Sequence, residues 1–225
     1  MLLLLACKGS PPAPDTHTDD TGGPCEEQSW YVDEDQDGLG LGQGIDDRAA
    51  WSCAPPEEAG YSTTPGDCYD QDAQVGAEGV FLIGSETVDL TELASQDSPH
   101  ALTVQEPSTL VVCDGTWALA VDATADLTVV GQSLDSEVTG LDQQRPFTMR
   151  GADLTLVDLT VRNGLATDGG GVWTDASVTL EGGRVVENVA TRSGGGIYQT
   201  GADGTVTIHE GAVQLNSAAV NGGGV

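Results

Sequence analysis

Three aspartates at alternate positions, Asp33, Asp35 and Asp37, stand just before a glycine in the stretch WYVDEDQDGLG. In an EF-hand calcium loop, carboxylates lie at positions one, three and five, a glycine at six makes the sharp turn, and a backbone carbonyl serves at seven. Gly38 and Leu39 occupy those last two places here. Because three carboxylates in one tight turn repel each other unless a cation lies among them, the stretch predicts a cation-binding half-loop.

The remaining ligands must come from elsewhere in the chain. Position twelve of an EF-hand is a bidentate glutamate, but here it is Gly44, and no helical periodicity flanks the loop, so the loop is not an EF-hand. The candidate additional ligands are Asp46, Asp47 and, in the later GDCYDQD cluster, Asp67, Asp70 and Asp72. Oxygen ligands favour a hard cation, so we expect calcium or another divalent metal, with a solvated acidic loop as the alternative.

The two acidic clusters together resemble a known repeat. WYVDEDQDGLG, then a cysteine and GYSTTPGDCYDQDAQVGAEG, is similar to the MopE-type metal-binding repeat of bacterial surface proteins, over residues 30 to 79. Tyr69 stands where that repeat usually has an aspartate, and the closing Cys/Asp-rich part of the repeat is absent. The resemblance implies a metal-binding segment outside the cell, although copper would need softer ligands than this sequence offers.

Composition excludes some functions. The 225-residue chain has 36 acidic and 7 basic residues, which gives a formal net charge of −29. A polyanion of this kind repels nucleic acid and attracts cations, so nucleic-acid binding is excluded. The 31 glycines and the scarcity of aromatic residues argue against an ordinary helical enzyme and favour many turns between short strands.

The N-terminus has features of a lipoprotein export signal. Residues 1–7, MLLLLAC, resemble a bacterial lipobox with Cys7 as the lipidated residue, and the apolar run is too short to span a bilayer. Residues 8–24 form a Pro-, Thr- and Asp-rich tether that would not fold by itself. We therefore expect a protein that partners with a membrane through a lipid anchor, located at the outer membrane or cell surface, or secreted.

Four further cysteines bear on how the N-terminal part is held. Residues 25–79 form an acidic segment with few apolar side chains, and an even number of cysteines in an exported protein predicts disulfides. We expect Cys25 to pair with either Cys53 or Cys68. Cys113 lies in an apolar strand pattern and is expected to be a buried thiol.

The second half of the chain contains an internal repeat. NGLATDGGGV from Asn163, NVATRSGGGI from Asn188 and NSAAVNGGGV from Asn216 align without gaps, at spacings of 25 and 28 residues. The stretches DLTV, DLTL, SVTL and TVTI recur in step, and they alternate apolar residues with threonine as half-buried strands do. One such strand in each period predicts a solenoid. We expect an all-β protein in which residues 80–225 form a right-handed parallel β-helix.

Glycine and asparagine are suited to the corners of such a helix, because both tolerate a left-handed backbone. We expect Asn163, Asn188 and Asn216 to stack as a ladder of amide side chains, each bonded to the backbone of its neighbour. The aliphatic residues of the strand patterns should stack inside the tube.

The repeat region also resembles known proteins. Asn-x5-Gly-Gly-Gly-[Val/Ile] is similar to the repeats of chlamydial polymorphic outer-membrane proteins, and TLVVCDGTWALAVDATADLTVVG looks like the opening turns of pectin-lyase-like β-helices. The resemblance implies a β-helix over residues 88–225, a fold that hosts adhesins, lyases and structural proteins alike. Because the sequence stops at NGGGV, inside a motif and without a capping pattern, we expect it to be part of a longer protein.

Side chains with catalytic potential are sparse in the repeat region. Arg162 and Arg184 fall near strand ends without a clear acid partner, and His100 and His209 have no partner at metal or triad spacing. The sequence favours a lipid-anchored, calcium-binding β-helix that acts in adhesion or envelope structure, with a polysaccharide or another surface protein as partner. The alternative is a carbohydrate-active enzyme, a polysaccharide lyase or hydrolase, with a metal-binding prefix.

Overall fold

The computed structural model describes residues 28–36, 39–41, 50–52, 60–62, 65–69, 71–76 and 78–225. Within these ranges the chain is all-β, with 24 short strands and one four-residue helix, and its main body is a β-solenoid of about four turns. The predicted all-β class and the parallel β-helix are therefore confirmed. No helix in the described ranges is long and apolar enough to cross a membrane.

The acidic segment forms two small sheets. Its strands are β1 (Gln28–Val32), β2 (Gly40–Leu41), β3 (Ala50–Ser52), β4 (Tyr61–Ser62) and β5 (Pro65–Asp67). β1 pairs antiparallel with β3 and β4, and β2 pairs parallel with β5. Tyr31 on β1 is buried, and Gly40 lies so close to it that Gly40 has no room for a side chain. Close contacts of this kind pack the described part of the acidic segment.

A hairpin and the helix cover the first turn of the solenoid. β6 (Val80–Ile83) and β7 (Thr87–Asp89) are antiparallel, and α1 (Thr91–Ala94) follows them. The Val80 amide donates to Thr91 Oγ1 (3.2 Å), while Leu90 and Ala94 are buried against the core. These elements shield the apolar interior at this end and pair the strand edge that would otherwise be open.

The remaining strands build the solenoid itself. In chain order they are β8 (His100–Val104), β9 (Ser108–Val112), β10 (Gly115–Ala123), β11 (Leu127–Gly131), β12 (Ser136–Thr139), β13 (Phe147–Met149), β14 (Leu154–Val157), β15 (Thr160–Arg162), β16 (Leu165–Asp168), β17 (Val172–Thr174), β18 (Val178–Glu181), β19 (Arg184–Val186), β20 (Val189–Ser193), β21 (Ile197–Gln199), β22 (Val206–His209), β23 (Ala212–Gln214) and β24 (Ser217–Ala218).

Parallel pairing sorts these strands into three faces and one short arm. The first face runs β9-β11-β14-β18-β22, with β6 antiparallel at its edge. The second face runs β10-β12-β15-β19-β23, and the third runs β8-β10-β13-β17-β21, so the long strand β10 contributes to both. The arm is β16-β20-β24. Successive turns therefore stack in register along the three faces, while the arm contains one register shift between β16 and β20.

Each face turns alternate residues inward, and these residues form rows along the tube. On the first face, Leu127, Leu154 and Val178 are partners in register, and all three are buried. On the third face, Phe147 and Val172 are partners and are likewise buried. The alternation seen in DLTV, DLTL and SVTL thus predicted both the strands and the sides that they bury.

Carboxylate side chains join the turns at the start of the first face. Asp126 Oδ1 accepts a hydrogen bond from the Asp153 amide (2.9 Å), and Asp153 Oδ1 accepts one from the Ser177 amide (2.9 Å). Asp126, Asp153 and Ser177 are the first residues of the stretches DLTV, DLTL and SVTL, and they lie 27 and 24 residues apart. Each carboxylate binds the backbone of the next turn and so fixes the register of the strand that follows.

Amide side chains form a second ladder at the end of the second face. Asn188 is fully buried, and its Oδ1 accepts a hydrogen bond from the Gly164 amide (2.8 Å). Its Nδ2 donates to the carbonyl oxygens of Val161 (3.1 Å) and Val186 (2.9 Å). Asn216 Oδ1 accepts from the Asn188 amide (2.9 Å). Asn188 and Asn216 therefore stack and bond as the repeat predicted.

Asn163 does not belong to this ladder, and the prediction for that residue is wrong. Arg162 is the register partner of Val186, which places Gly164 rather than Asn163 beside Asn188. A register shift between β16 and β20 restores the alignment before the triple glycines are reached. Asn163 is instead a corner residue whose backbone is left-handed, with φ of 50°.

The triple glycines bring neighbouring turns close to the asparagine ladder. Gly169, the first of its triplet, has a left-handed backbone with φ of 61°. A Cβ on the second, Gly170, would lie 2.4 Å from the Gly195 carbonyl oxygen of the next turn. A Cβ on the third, Gly171, would lie 2.9 Å from Asn188 Nδ2. The asparagine and glycines of the motif therefore form one packing unit across two turns.

A disulfide joins the acidic segment to the solenoid. Cys68 bonds to Cys113, which follows β9, across a sequence separation of 45 residues. The expectation of a buried thiol at Cys113 is therefore wrong, and Cys68 is not available to Cys25. Cys25 and Cys53 lie outside the described residues. In the chain-entropy treatment, closing a loop of this length stabilises the folded state by about 4 kcal/mol.

A second, smaller core surrounds this disulfide on the outside of the first face. Val111 and Phe81 are partners in register, and both turn away from the tube. They pack with Cys68 and Val75 of the acidic segment. Cys113 lies with Val111 on the outward side of the first face, whereas Leu110 and Val112 belong to the core of the tube. Because both sides of β9 carry apolar residues, the sequence pattern does not show which side faces outward, and the pairing of Cys113 could not be predicted.

Replacing Asn188 by alanine should lower the free energy of unfolding by roughly 2–4 kcal/mol, because it leaves several buried backbone groups without partners at about 1–3 kcal/mol each. Urea denaturation measures this loss. Asn163→Gly is the matched control, since glycine keeps the left-handed corner, and its effect should stay within about 0.5 kcal/mol. Equal losses in the two variants would contradict the ladder.

Candidate functional site

The predicted calcium ligands that the structure describes lie in the acidic segment and differ in burial. Asp33 follows β1 and Asp67 ends β5, and both are buried, at 6% and 0% exposure. Asp35 and Leu39 are half-buried in the loop between β1 and β2. Gln36 in that loop has a left-handed backbone, with φ of 61°, so the chain turns tightly there.

Asp33 has the chemistry of a metal ligand. Its amide donates to the Gly60 carbonyl (2.9 Å), which fixes the backbone, while its Oδ1 is buried and accepts no hydrogen bond from any described residue. Burying a carboxylate oxygen without a hydrogen-bond donor costs free energy, and a bound cation would offset that cost. Asp67 is fixed in another way, since its Oδ1 accepts from the Tyr69 amide (3.1 Å).

Asp72 has a structural role. Its Oδ2 accepts a hydrogen bond from Thr87 Oγ1 (2.6 Å), and its Oδ1 accepts one from the Gln74 amide (3.1 Å). These bonds fix the turn before β6 to the first hairpin. Asp72 is thus already engaged by two donors.

The described part of the chain does not assemble a complete metal site. No group of three or more His, Cys, Asp or Glu side chains within it could hold an ion. Several predicted site residues lie outside the described residues: Asp37, Asp46, Asp47, Asp70 and the lipidation residue Cys7. The described ligands therefore give only part of the predicted coordination shell.

A groove runs along the third face of the solenoid. Two adjoining cavities, of about 480 and 240 Å³, share Arg145, Thr148 and Thr167. The strand β16 of the arm forms one wall, and the outward side of the third face forms the floor. The larger volume falls in the range of ~300–1,000 Å³ found for ligand sites. We call this feature the arm groove.

Parallel register places one outward residue of each turn on the floor of the arm groove. Asp122 on β10 pairs with Thr148 on β13, and Thr148 pairs with Trp173 on β17. Tyr198 on β21 continues the row beside Trp173. Because neighbouring strands lie about 4.8 Å apart, the row presents polar and aromatic groups at the regular spacing of the turns.

Arg150 is fixed above this floor. Its Nε donates to Asp122 Oδ1 (2.9 Å) and its Nη2 donates to Oδ2 (3.2 Å), which makes a bidentate ion pair. Its guanidinium carbon lies 5.8 Å from the centroid of the Trp173 ring. Hydrogen bonding to Asp122 raises the pKa of Arg150 above its usual value. Arg150 is therefore a permanent cation whose charge is matched by Asp122.

Arg192 is fixed at the arm in a similar way. Its Nε donates to Asp168 Oδ1 (2.8 Å), its Nη2 donates to Asp168 Oδ2, and the Ser193 amide also donates to Asp168 (3.2 Å). Hydrogen bonding from Arg192 lowers the pKa of the Asp168 carboxyl below its usual value. This ion pair links β16 to β20 and holds the wall of the arm groove.

Arg145 is the arginine of the arm groove that forms no ion pair with a described residue. Its side chain is half-buried where the two cavities meet, and its Nε is buried without a hydrogen-bond partner there. Burial lowers the pKa of Arg145, and the nearby charge of Arg150 lowers it further. Its guanidinium therefore offers an unused donor to a ligand with an anionic group.

The arginines that the sequence singled out lie elsewhere. Arg162, on the second face, joins Glu137 of the preceding turn (2.9 Å) and Glu187 of the following turn (2.6 Å). Hydrogen bonding to Glu137 raises the pKa of Arg162, so this residue is a fixed cation and unsuited to accept a proton. Arg184 is exposed on the same face.

The arm groove is not evident from the sequence, although one signal is present there. Arg145, Arg150 and Arg192 are three of only seven basic residues in the chain. Asp122, Thr148 and Trp173 also follow one another at intervals of one turn. What the sequence could not reveal is that β16 of the arm lies beside these side chains and forms one wall of the groove.

Comparison with known proteins adds no relative. The chain matches no family model, no curated protein and no solved structure. The resemblances to MopE-type repeats, chlamydial outer-membrane proteins and pectin-lyase-like proteins therefore stay predictions. The β-solenoid itself rests on the strand pairing described above.

Asp168→Asn should reduce the pH dependence of stability in acid. The pKa of Asp168 is lower in the folded state than in the unfolded state, where it is about 3.9. The contribution of Asp168 to the free energy of unfolding is therefore present above the unfolded pKa and is lost as the pH falls through the folded pKa. The stability difference between wild type and variant, from urea denaturation at a series of pH values, should therefore shrink toward low pH. Asp203→Asn is the control, because Asp203 is exposed and forms no ion pair with a described residue. A difference that is constant with pH would refute the role of the Asp168–Arg192 pair.

Proposed function

We propose that the protein is a binding or structural module of the cell surface, consisting of a rigid β-solenoid that presents the arm groove and an acidic segment that binds calcium. One observation carries this proposal: the solenoid uses its charged side chains to join its own turns. Arg162 bonds to Glu137 and Glu187 across three turns. Asp126 and Asp153 accept hydrogen bonds from backbone amides.

Charged groups engaged in this way stabilise a scaffold rather than transfer protons. General acid–base catalysis needs a group whose pKa lies near the working pH and which is free to reach a substrate. The hydrogen bonds of Arg150, Arg162 and Arg192 move their pKa values upward, away from that range. Among the described side chains, this pattern favours binding over the alternative of a polysaccharide lyase or hydrolase.

Display at the cell surface is supported by the N-terminal sequence. Cys7 in a lipobox-like context would carry the acyl chains, and residues 8–24 would serve as the tether. Each buried methylene contributes about 0.8 kcal/mol, so two or more acyl chains hold a protein on a membrane. The location proposed is the outer membrane or cell surface, with a polysaccharide or another surface protein as partner.

Calcium binding is supported by the buried carboxylate of Asp33, by the burial of Asp67 and by the resemblance to MopE-type repeats. Extracellular calcium sites often have Kd values on the order of 10⁻⁴ to 10⁻³ M. At a tenfold excess over Kd, binding stabilises the folded segment by about 1.4 kcal/mol. That gain would stiffen the connection between the tether and the solenoid.

Removal of calcium should expose the acidic segment to proteolysis. In EDTA, a metal-independent glutamyl protease should cleave within residues 25–79 faster than in calcium, while the solenoid stays resistant, and mass spectrometry identifies the cut sites. Asp33→Asn should be cleaved quickly in both conditions, whereas the exposed control Asp203→Asn should behave as wild type. Identical cleavage with and without chelator would argue against the metal.

A direct assay separates binding from catalysis. Digests of polyuronates and neutral polysaccharides with the full chain should yield neither unsaturated uronates nor new reducing ends, since Arg150, Arg162 and Arg192 are engaged in ion pairs within the scaffold. Absorbance of the unsaturated product and a reducing-sugar assay measure the two reactions. Product that appears with wild type and disappears with Arg145→Gln would establish the enzyme alternative instead.

A further inference from the structure

We propose that the arm groove binds a mostly neutral glycan chain that carries isolated acid groups, with one acid group bound to the guanidinium of Arg145. The inference rests on the proposed binding function and names the class of ligand. It draws on three features of the arm groove: an unused cationic donor, a polar lining that extends across several turns, and a nearly balanced charge.

The cationic donor is Arg145. The Arg145 side chain lines both cavities of the arm groove and forms no ion pair with a described residue, and its buried Nε has no hydrogen-bond partner among those residues. Arg150 and Arg192 are bound by Asp122 and Asp168, so they keep their positions without needing a ligand. A carboxylate or sulfate oxygen would satisfy Arg145 through a short, charge-assisted hydrogen bond.

The lining suits a chain of sugar hydroxyls. Thr148 and Thr167 offer hydroxyl groups, and Gln143 and Gln144 offer amide groups that both donate and accept. Asp122, Thr148 and Trp173 lie on successive strands of the floor, so polar and aromatic groups follow the tube axis and would contact consecutive units of an extended ligand.

The charge balance limits how acidic the ligand can be. Asp122 and Asp168 offset Arg150 and Arg192, so Arg145 supplies the one uncompensated positive charge of the groove among the described residues. The whole chain carries a formal charge of −29, which repels a densely charged polyanion. A glycan with an acid group on every unit would meet this repulsion, whereas one with occasional acid groups would place a single charge on Arg145.

An array of immobilised oligosaccharides tests the proposal with the full chain. Its classes are neutral glycans, glycans with a single carboxylate, glycans with a single sulfate, and polyuronates. Wild type should retain a single-acid class best, and the carboxylate and sulfate classes show which acid Arg145 prefers. Arg145→Gln should weaken that retention roughly tenfold or more, since it removes a charge-assisted bond. Arg184→Gln, the same substitution at an exposed residue of the second face, should retain the glycan as wild type does.

Thermal unfolding of each variant shows whether the variant is folded, so that lost retention is not mistaken for lost folding. Arg145→Lys provides a second test, because lysine keeps the charge but lacks Nε. The Arg145→Lys variant should recover part of the retention. The proposal is overturned if no class is retained, if neutral glycans or polyuronates are retained best, or if Arg145→Gln binds as wild type does. If one of these results is obtained and the polysaccharide digests contain no product, this class of ligand is rejected while the proposed function as a binding or structural module stands. Product formation in the digests would reject the proposed function itself.

Discussion

Register between stacked strands is the constraint on which this solenoid depends, because each polar contact between turns needs its partner at the same place one turn later. The turns themselves differ in length, since the Asp126–Asp153–Ser177 ladder has spacings of 27 and 24 residues. Asp126 reaches the Asp153 amide, and Asn188 reaches the Gly164 amide, only while the strands between them stay in register. A change of one residue would turn the inward rows outward. The first face keeps its register although its turn spacings differ, so the extra residues lie outside its paired strands, whereas the arm contains a register shift between β16 and β20.

The strong negative charge makes these contacts more important, since a chain with a formal charge of −29 opposes its own compaction. Arg162 lies between two glutamates of neighbouring turns, and Arg192 holds Asp168 at the arm. Partly exposed ion pairs of this kind contribute about 0–1 kcal/mol each, so their main effect is alignment. Arg145, left outside these pairs, becomes the residue through which the solenoid can meet an external anion.

The strands were predictable from sequence because the alternation of leucine or valine with threonine is a local property of each turn. Side-chain contacts between turns depend on how many residues separate stacked positions, and this number varies from turn to turn. Gly164 stacks on Asn188 at a spacing of 24 residues, one fewer than the motif spacing, so Asn163 became a corner while Asn188 and Asn216 formed the ladder. The bond between Cys68 and Cys113 and the enclosure of Arg145 by the arm depend on packing between distant segments, which local patterns do not encode.

Residue-resolved amide hydrogen exchange measures the stacking of turns most directly. The amides of Gly164, Ser177 and Asn188 each donate to a side chain of a neighbouring turn. We expect them to exchange as slowly as the amides inside the central strands, through unfolding of the whole solenoid. Exchange at the rate of exposed loop amides would show that the side-chain ladders do not hold the turns together, and it would contradict the account of the protein as a rigid scaffold.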